Sequence, residues 1–126
     1  MTDSILIGKY LYSRLATIPS IEGKVFPVVA DQSTTYPFII YQRTNITSDE
    51  LSKDGYGEDT VDFSVIVVSE HYDDSCELAN AVRHLLEKKM MTYDSMEIRD
   101  CHLVGISEAY SEGAFIQSLS FNCIIN

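Results

Sequence analysis

The alternation of hydrophobic and polar residues is clearest over residues 59–89, where a predicted strand leads into a predicted helix. In residues 60–69, TVDFSVIVVS, every second residue from Val61 to Val67 is apolar, which places these side chains on one face of a strand. Residues 65–68 are apolar on both faces. This favours either a central strand covered on both sides or a strand whose outer face meets another subunit.

A helix is predicted over residues 75–89, SCELANAVRHLLEKK, because its apolar residues recur at helical spacing and form a single stripe. Asp73 or Asp74 is expected to accept hydrogen bonds from the free N–H groups of the first turn. Lys88 and Lys89 fall in the second half, where positive charge complements the helix dipole. The strand and this helix predict a unit in which the helix folds back onto the sheet.

The N-terminal part of the chain predicts one helix and two strands. The helix covers residues 4–18, carries an apolar stripe and is ended by Pro19. A short apolar piece at residues 25–29 contains a proline, which is typical of an edge strand or an extended segment. The following strand, residues 37–47, begins with a proline, where the missing N–H does least harm.

The C-terminal part predicts a connector and a β-hairpin. Residues 90–94 are expected to form the connector, and residues 95–110 a strand with Gly105 as a possible bulge. A turn at residues 111–113 then leads into a last strand, residues 114–125, with a regular apolar and polar alternation.

These elements predict a single α+β domain spanning residues 1–126. The expected architecture is a two-layer sandwich, with an antiparallel sheet of about four long strands and two helices packed on one face. The polar outer face of the sheet is expected to be exposed or used in binding. A chain of 126 residues is long enough to bury one proper core without metals or disulfides.

Composition excludes several classes of protein. The net charge of −10 argues against binding nucleic acid through a general positive surface. No apolar run approaches the roughly 18 residues of a membrane span, and the N-terminus lacks the basic region of a secretory signal. The three cysteines, Cys76, Cys101 and Cys123, are odd in number and widely spaced, which indicates reduced and mostly buried thiols in a cytosolic protein.

A long acidic loop is expected between the two predicted strands, over residues 47–59, TSDELSKDGYGED. Lys53 is its only basic residue, and the GYG triplet indicates a turn or a flexible tip. Its acidic residues are Asp49, Glu50, Asp54, Glu58 and Asp59. A loop of this length exceeds what hairpin closure requires; it is either a solvated tip or a functional segment.

No motif in the sequence argues for catalysis, a cofactor or a metal. His71, Asp73 and Asp74 lie close together, but a metal site would need a further ligand, and the acids are better explained as helix caps. Cys101 and His102 are neighbours on a predicted strand and therefore point to opposite faces. The GYG triplet lacks the rest of a phosphate-binding loop.

The aromatic residues are unusual, with eight tyrosines and no tryptophan. Most of the tyrosines fall at helix edges, strand ends and loops. Tyrosine is favoured where one end of the side chain is apolar and the other is wet, as at subunit interfaces. The pattern fits an interface and a set of residues that close the domain's own core equally well.

Taken together, the segments resemble the small tail-completion, or tail-terminator, proteins of long-tailed bacteriophages and prophages. The resemblance lies in KVFPVV after the first helix, in the proline-opened strand YPFIIYQR, and in the unit VDFSVIVVSEHYDDSCELANAVRHLLE. A terminal hairpin ending in an alternating strand completes it, so that nearly the whole chain is covered. These are patterns of residue type rather than a catalytic signature, and the acidic loop departs from them.

The resemblance implies a non-enzymatic structural role in the virion, at the joint between head and tail. Such proteins assemble in the bacterial host cytoplasm as rings, usually of six, that cap the tail tube. The implied partners are other copies of the chain, the tail-tube protein and head-connector proteins. DNA passes through the ring without sequence-specific binding, and neither a membrane nor a cofactor is implied.

Two sets of residues are therefore assigned a role in assembly. We expect the loop acids Asp49, Glu50, Asp54, Glu58 and Asp59 to line the channel or to contact a neighbouring ring, because negative charge keeps DNA from adhering. A ring needs one patch that meets a different patch on the next subunit. The expected interface residues are Val65, Ile66, Val67, Val68, Tyr41 and Tyr110.

Two other functions remain open from the sequence. One is a cytosolic ligand-binding or regulatory α+β domain that dimerises through its sheet, which would need a concave apolar pocket. The other is a small enzyme that uses the cluster of His71, Asp73 and Asp74.

Overall fold

A computed structural model of the chain describes residues 3–48 and 58–126 and confirms the α+β class. A 3₁₀ turn, Ser4–Leu6, precedes helix α1, and a second, Pro19–Ile21, follows it. The helices are α1, Ile7–Leu15, and α2, Tyr72–Leu86. The strands are β1, Val25–Pro27; β2, Phe38–Ser48; β3, Asp59–Ser69; β4, Lys88–Tyr93; β5, Met96–Ser111; and β6, Ala114–Ile125.

The strands form one mixed sheet in the order β1-β2-β3-β6-β5-β4. The four long strands, β2, β3, β6 and β5, are antiparallel, as expected. Two short strands are added to them: β1 runs parallel to β2 at one edge, and β4 lies at the other. The short piece expected at residues 25–29 is the edge strand β1, whereas β4 was not expected. The sheet is mixed rather than purely antiparallel, because β1 and β2 run in the same direction.

The central strand is β3, and its alternation agrees with the sequence. Val61, Phe63, Val65 and Val67 are all buried on one face. Helix α2 packs on β3 and β6, helix α1 packs on β1 and β2, and the two helices contact each other, so both cover this face. Within the core, the rings of Phe63 and Phe121 stack with centroids 5.1 Å apart. Neither helix is long and apolar enough to cross a membrane, among the residues described.

Both helices differ from the prediction at their ends. Helix α1 ends at Leu15, before Pro19, because the chain turns into the second 3₁₀ segment. Helix α2 begins at Tyr72, so Asp73 and Asp74 lie inside its first turn and His71 occupies the N-cap position. The acids therefore complement the helix dipole rather than cap the helix with a side-chain hydrogen bond.

The connector predicted at residues 90–94 was wrong, because residues 88–93 form the edge strand β4. This strand pairs with the first half of β5, from Tyr93 opposite Met96 to Lys88 opposite Cys101. Lys88 and Lys89 therefore belong to a sheet edge and not to the end of α2. Lysine on an edge strand discourages further strand pairing, which is a physical reason for charge at this position.

The β5–β6 hairpin closes with the two-residue turn Glu112–Gly113. Both residues have positive φ, +51° and +80°, which is the conformation of a type I′ turn. The register shifts between Leu103 and Gly105, in agreement with the bulge expected at Gly105. The last strand begins and ends where the sequence predicted.

Candidate assembly surfaces

The predicted interface stretch, residues 65–68, is divided between the two faces of the sheet. Val65 and Val67 lie in the core beneath the helices. Ile66 and Val68 point to the opposite face, opposite Ile40 and Phe38 on β2. Ile66 is half-buried there and within reach of a partner on the outer face of the sheet, whereas Val68 is only 7% exposed.

The outer face carries an apolar cluster at one end. The ring of Phe38 packs edge-on against Phe26, with centroids 6.5 Å apart, and stacks on Tyr36 at 5.8 Å. Ile40 and Ile66 are paired across the strands beside them. These side chains are mostly half-buried by one another, although both helices lie on the other side of the sheet.

The other end of the outer face is polar. The Asn122 amide donates a hydrogen bond to Asp62 at 2.8 Å, and these two residues are paired across β6 and β3. Ser64 and Ser120 form the next pair on this face of the same strands. The outer face is thus amphipathic along its length, with the apolar cluster near the start of β2.

Tyr41 and Tyr110, both predicted at an interface, lie in different environments. Tyr41 is buried, and burial, with a smaller effect of Tyr12, raises its pKa. It therefore belongs to the core. Tyr110 is 64% exposed at the end of β5, where its ring lies 4.8 Å from that of Phe115. Of the two tyrosines, only Tyr110 is accessible to a partner in this structure.

A polar network supports the hairpin end on which Tyr110 lies. The Tyr72 hydroxyl donates a hydrogen bond to Glu108 at 3.1 Å, and the Gln117 amide donates to Glu108 at 3.2 Å. Hydrogen bonding to Cys76 and then to Glu108 raises the pKa of Tyr72 to about 12. These contacts tie the first turn of α2 to β5 and β6, so the hairpin end is held in place.

The second half of β5 forms an exposed strand edge that the sequence did not reveal. Pairing with β4 ends at Cys101, and no other described strand pairs with that side of β5. Val104 is 64% exposed and Ile106 is 52% exposed, although their pattern resembles that of buried Met96 and Ile98. Two register shifts, between Arg99 and His102 and between Leu103 and Gly105, separate the two halves of the strand, and β4 is too short to accompany the second half.

A second exposed apolar surface lies at the start of the chain. Ile5, Leu6 and Tyr12 are exposed on the 3₁₀ turn and on α1. An Arg43 guanidinium N–H donates to the Ile5 carbonyl at 2.8 Å. Beside them is an open cleft of about 440 Å³ lined by Ser4, Ile5, Arg43, Ile46, Ser48 and Asp59. Ile5 and Leu6 fall within the helix predicted over residues 4–18, and its apolar pattern does not reveal that they are exposed.

The predicted loop acids fall into three groups. Asp49, Glu50 and Asp54 lie outside the described residues. Glu58 is exposed and forms an ion pair with Arg99. Asp59 is buried as the first residue of β3, where its carboxylate accepts a hydrogen bond from the Ser4 hydroxyl. Asp59 thus differs from an exposed loop acid, because its side chain takes part in the packing of α1 against the sheet.

The residues considered for catalysis or metal binding do not converge. His71, Asp73 and Asp74 are exposed around the start of α2. No group of three or more histidine, cysteine or acidic side chains suited to a metal exists among the residues described. Cys101 is buried, whereas His102 is exposed and its Nδ1 lies 2.8 Å from the Asp100 carbonyl.

The cysteines of the described residues are free thiols. Cys101 and Cys123 are buried and Cys76 is partly buried. Hydrogen bonding to Cys101, together with burial, raises the pKa of Cys123, so its thiol stays protonated at neutral pH. A protonated buried thiol is a poor nucleophile, which fits a packing role.

Comparison with known proteins gives a match of fold. No protein-family model matches the sequence, and no curated protein matches it. Among solved structures, a chain in the virion of a native gene transfer agent particle has a TM-score of 0.69 and 13% sequence identity, covering 91% of this chain and 90% of that one. A second solved protein, designated only by a sequence identifier, has a TM-score of 0.70 and 13% identity, covering 98% and 96%. The chain therefore shares its whole fold with a component of a virion particle.

Proposed function

We propose that this protein is a non-enzymatic structural subunit of a phage-type particle, which forms a ring, usually of six, that caps the tail tube and joins it to the head. The observation that carries the proposal is the fold match to a gene transfer agent virion chain, which extends over 91% of this chain and 90% of that one. It agrees with the resemblance of the sequence segments to tail-completion proteins. The proposed partners are further copies of the chain, the tail-tube protein and head-connector proteins, in the virion and in the host cytoplasm during assembly.

The exposed apolar surfaces support an assembly role. A ring subunit must present two different patches, because each contact joins one patch to another on the next subunit. Tyr110 and Ile106 are exposed on β5, and Ile5 and Tyr12 are exposed near the start of the chain. Large exposed apolar side chains in separate clusters are typical of protein–protein contact sites.

We propose that the acidic loop faces the DNA channel, through Asp49, Glu50, Asp54 and Glu58. Negative charge at a channel wall repels phosphate groups and lets DNA slide. Asp59 was included in the same set from the sequence, but its burial argues for a role in packing. Replacing Asp49, Glu50 and Asp54 with serine should lower particle infectivity or DNA passage and leave the fold intact. A control that replaces the exposed acids Glu22, Glu70 and Glu77 changes the net charge equally and should have little effect.

Three experiments test the proposed function. Light scattering over a concentration series, at moderate and high salt, should give either a hexamer-sized species or a monomer that assembles as salt is added. Salt should favour assembly because it screens the repulsion between subunits that each carry a net charge of −10. Electron microscopy of the protein mixed with tail-tube protein should show rings at one end of the tubes. Deletion of the gene from a particle-producing host should leave tails that do not join heads, and normal particles from that deletion would refute the proposal.

A regulatory domain that dimerises through its sheet is the second candidate. It is favoured by one observation, the free edge of β5, because an exposed edge can pair with the same edge of a second copy. A stable dimer at every concentration and salt, without binding to tail tubes, would favour this function over the ring.

A further inference from the structure

We propose that neighbouring subunits of the ring are joined head to tail by two surfaces of opposite charge. The first, called the hairpin patch, consists of Val104, Ile106, Glu108 and Tyr110 on the free edge of β5. The second, called the helix patch, consists of Ile5, Lys9, Tyr12 and Arg43. This inference rests on the proposed ring and identifies its contact: the hairpin patch of one copy binds the helix patch of the next.

The hairpin patch presents unpaired backbone groups as well as apolar side chains. In a hairpin with a two-residue turn, the residues that close the turn, here Ser111 and Ala114, form a hydrogen-bonded pair. Along the strands, hydrogen-bonded pairs alternate with pairs that are not hydrogen-bonded to each other. It follows that the N–H and C=O groups of Ile106, Glu108 and Tyr110 point away from β6. No described strand lies there to bond them, because β4 ends opposite Cys101.

This edge lacks the features that protect the other edges of the sheet. Natural edge strands are usually blocked by lysine, proline or short length. The β4 edge carries Lys88 and Lys89, and the three-residue β1 ends in Pro27. Residues 106–111, ISEAYS, lie beyond the bulge between Leu103 and Gly105 and contain neither lysine nor proline, so this part of the edge is suited to a partner.

The helix patch is a second apolar surface on a different part of the molecule. Ile5, Lys9 and Tyr12 recur at helical spacing on the side of α1 opposite to its buried residues Leu11 and Leu15. Ile5 is 70% exposed and Tyr12 is 49% exposed. The hydrogen bond from Arg43 to the Ile5 carbonyl places the guanidinium at the same surface, beside the 440 Å³ cleft.

The charges of the two patches are complementary. The helix patch contributes Lys9 and Arg43 in a protein with only nine basic residues against nineteen acidic ones. Within the described ranges, the ion pairs are formed by Arg83 and Arg99, so Lys9 and Arg43 take part in none of them. The hairpin patch offers the Glu108 carboxylate and outward carbonyl groups, which are acceptors for lysine and arginine. A second copy of this chain therefore supplies the chemistry that each patch requires.

The positions of the patches make the contact head to tail. Ser4, beside the helix patch, bonds to Asp59 at the start of β3, whereas Phe115, beside Tyr110, pairs with Ser69 at the end of β3. Ten residues of strand separate these points by roughly 33 Å. The patches cannot meet within one chain, and joining one to the other in successive copies gives a closed ring or a filament.

The test uses two variants that each disable one patch. Ile106→Lys places a positive charge opposite the basic helix patch, and the variant Ile5→Ser/Tyr12→Ser removes the exposed apolar side chains of the helix patch without adding a charge that could pair with the lysine of the first variant. Each variant alone should associate at least about 100-fold more weakly than the wild type. An equimolar mixture should form a one-to-one dimer that grows no further, because each dimer contains one intact hairpin patch bound to one intact helix patch. All three changes are at exposed positions, and recovery of binding on mixing shows that both variants are folded.

A matched control is Met90→Lys, because Met90 is 53% exposed on the other edge strand, β4, whereas Ile106 is 52% exposed. This control should assemble as the wild type does, by light scattering and analytical ultracentrifugation. Full assembly by either patch variant alone would overturn the proposed contact and leave the ring itself standing. A dimer formed by Ile5→Ser/Tyr12→Ser alone would show a two-fold contact through β5 and also overturn it. Wild-type protein that stays monomeric at all salts and concentrations would overturn it too, while tail-tube capping tests the proposed function separately.

Discussion

Asp59 is expected to be essential for stability, although it is one of five acids in what the sequence presents as a solvated loop. Its carboxylate is buried and accepts a hydrogen bond from the buried Ser4 hydroxyl, which joins the start of the chain to the start of β3. A hydrogen bond to a charged group contributes about 1.5–3 kcal/mol net. We therefore expect Asp59→Ser to lower the free energy of unfolding by about 1.5–3 kcal/mol.

The neighbouring acid provides the control. Glu58 forms an exposed ion pair with Arg99, and such surface pairs contribute about 0–1 kcal/mol. Glu58→Ser removes the same charge one residue away and should cost at most about 1 kcal/mol. The difference in unfolding free energy between the two variants therefore measures the effect of burying the carboxylate rather than the effect of removing a charge.

Urea unfolding followed by circular dichroism measures this difference. With a slope of about 1.5 kcal/mol/M, the expected loss moves the midpoint of Asp59→Ser by roughly 1–2 M. A double-mutant cycle with Ser4→Ala should give a coupling of about 0.5–3 kcal/mol. If Asp59→Ser unfolds at the same urea concentration as Glu58→Ser, the reasoning from burial is refuted. Variants that test the channel loop should in any case keep Asp59.

Three further predictions concern the core and the hairpin. Burial raises the pKa of Tyr10 to about 12 from 10.0, so its contribution to stability is present below pH 10 and is lost as the pH rises from 10 towards 12. The Tyr10 hydroxyl has no hydrogen-bond partner among the described residues, so Tyr10→Phe should raise the unfolding free energy by about 1 kcal/mol at pH 7. In a series of urea titrations at increasing pH, the same variant should lose less stability above pH 10 than the wild type. Phe121→Ala should cost about 3–5 kcal/mol, and a cycle with Phe63→Leu should reveal a ring–ring coupling of about 0.5–1.5 kcal/mol; additive effects would contradict the stacking argument. Glu112→Asn should raise the melting temperature, because asparagine tolerates the φ of +51° in this turn better than glutamate, and a lower melting temperature would contradict it.

The sequence predicted the elements whose patterns are set by their own burial. Strand β3 and strand β6 lie at the centre of the sheet, so one face of each is mainly apolar and the alternation shows directly. The hairpin turn at residues 111–113 and its flanking strands were equally clear, because Gly113 marks the turn locally. These parts of the fold follow from local chemistry.

The sequence could not predict features that depend on where a neighbouring strand stops. Lys88 and Lys89 continue a helical pattern as readily as they begin an edge strand, and only pairing with β5 decides between the two. Likewise, Ile98 is buried and Ile106 is exposed although both alternate with polar neighbours, because β4 accompanies only the first half of β5. Of the exposed surface on β5, the sequence indicated only Tyr110, because a pattern shows which side chains share a face and not whether that face is covered.

The insertion of β6 between β3 and β5 has a consequence for synthesis of the protein. Asp59 pairs with Ile125 and Ser69 pairs with Phe115, so the central strand finds one of its two neighbours only in the last segment of the described chain. Until β6 has left the ribosome, β3 has an open edge and the sheet remains in two parts. Contacts between residues so distant along the chain slow folding. We therefore expect a subunit to fold after translation of β6 rather than progressively during synthesis, and nascent chains to be the stage at which the valine-rich β3 is most exposed to aggregation.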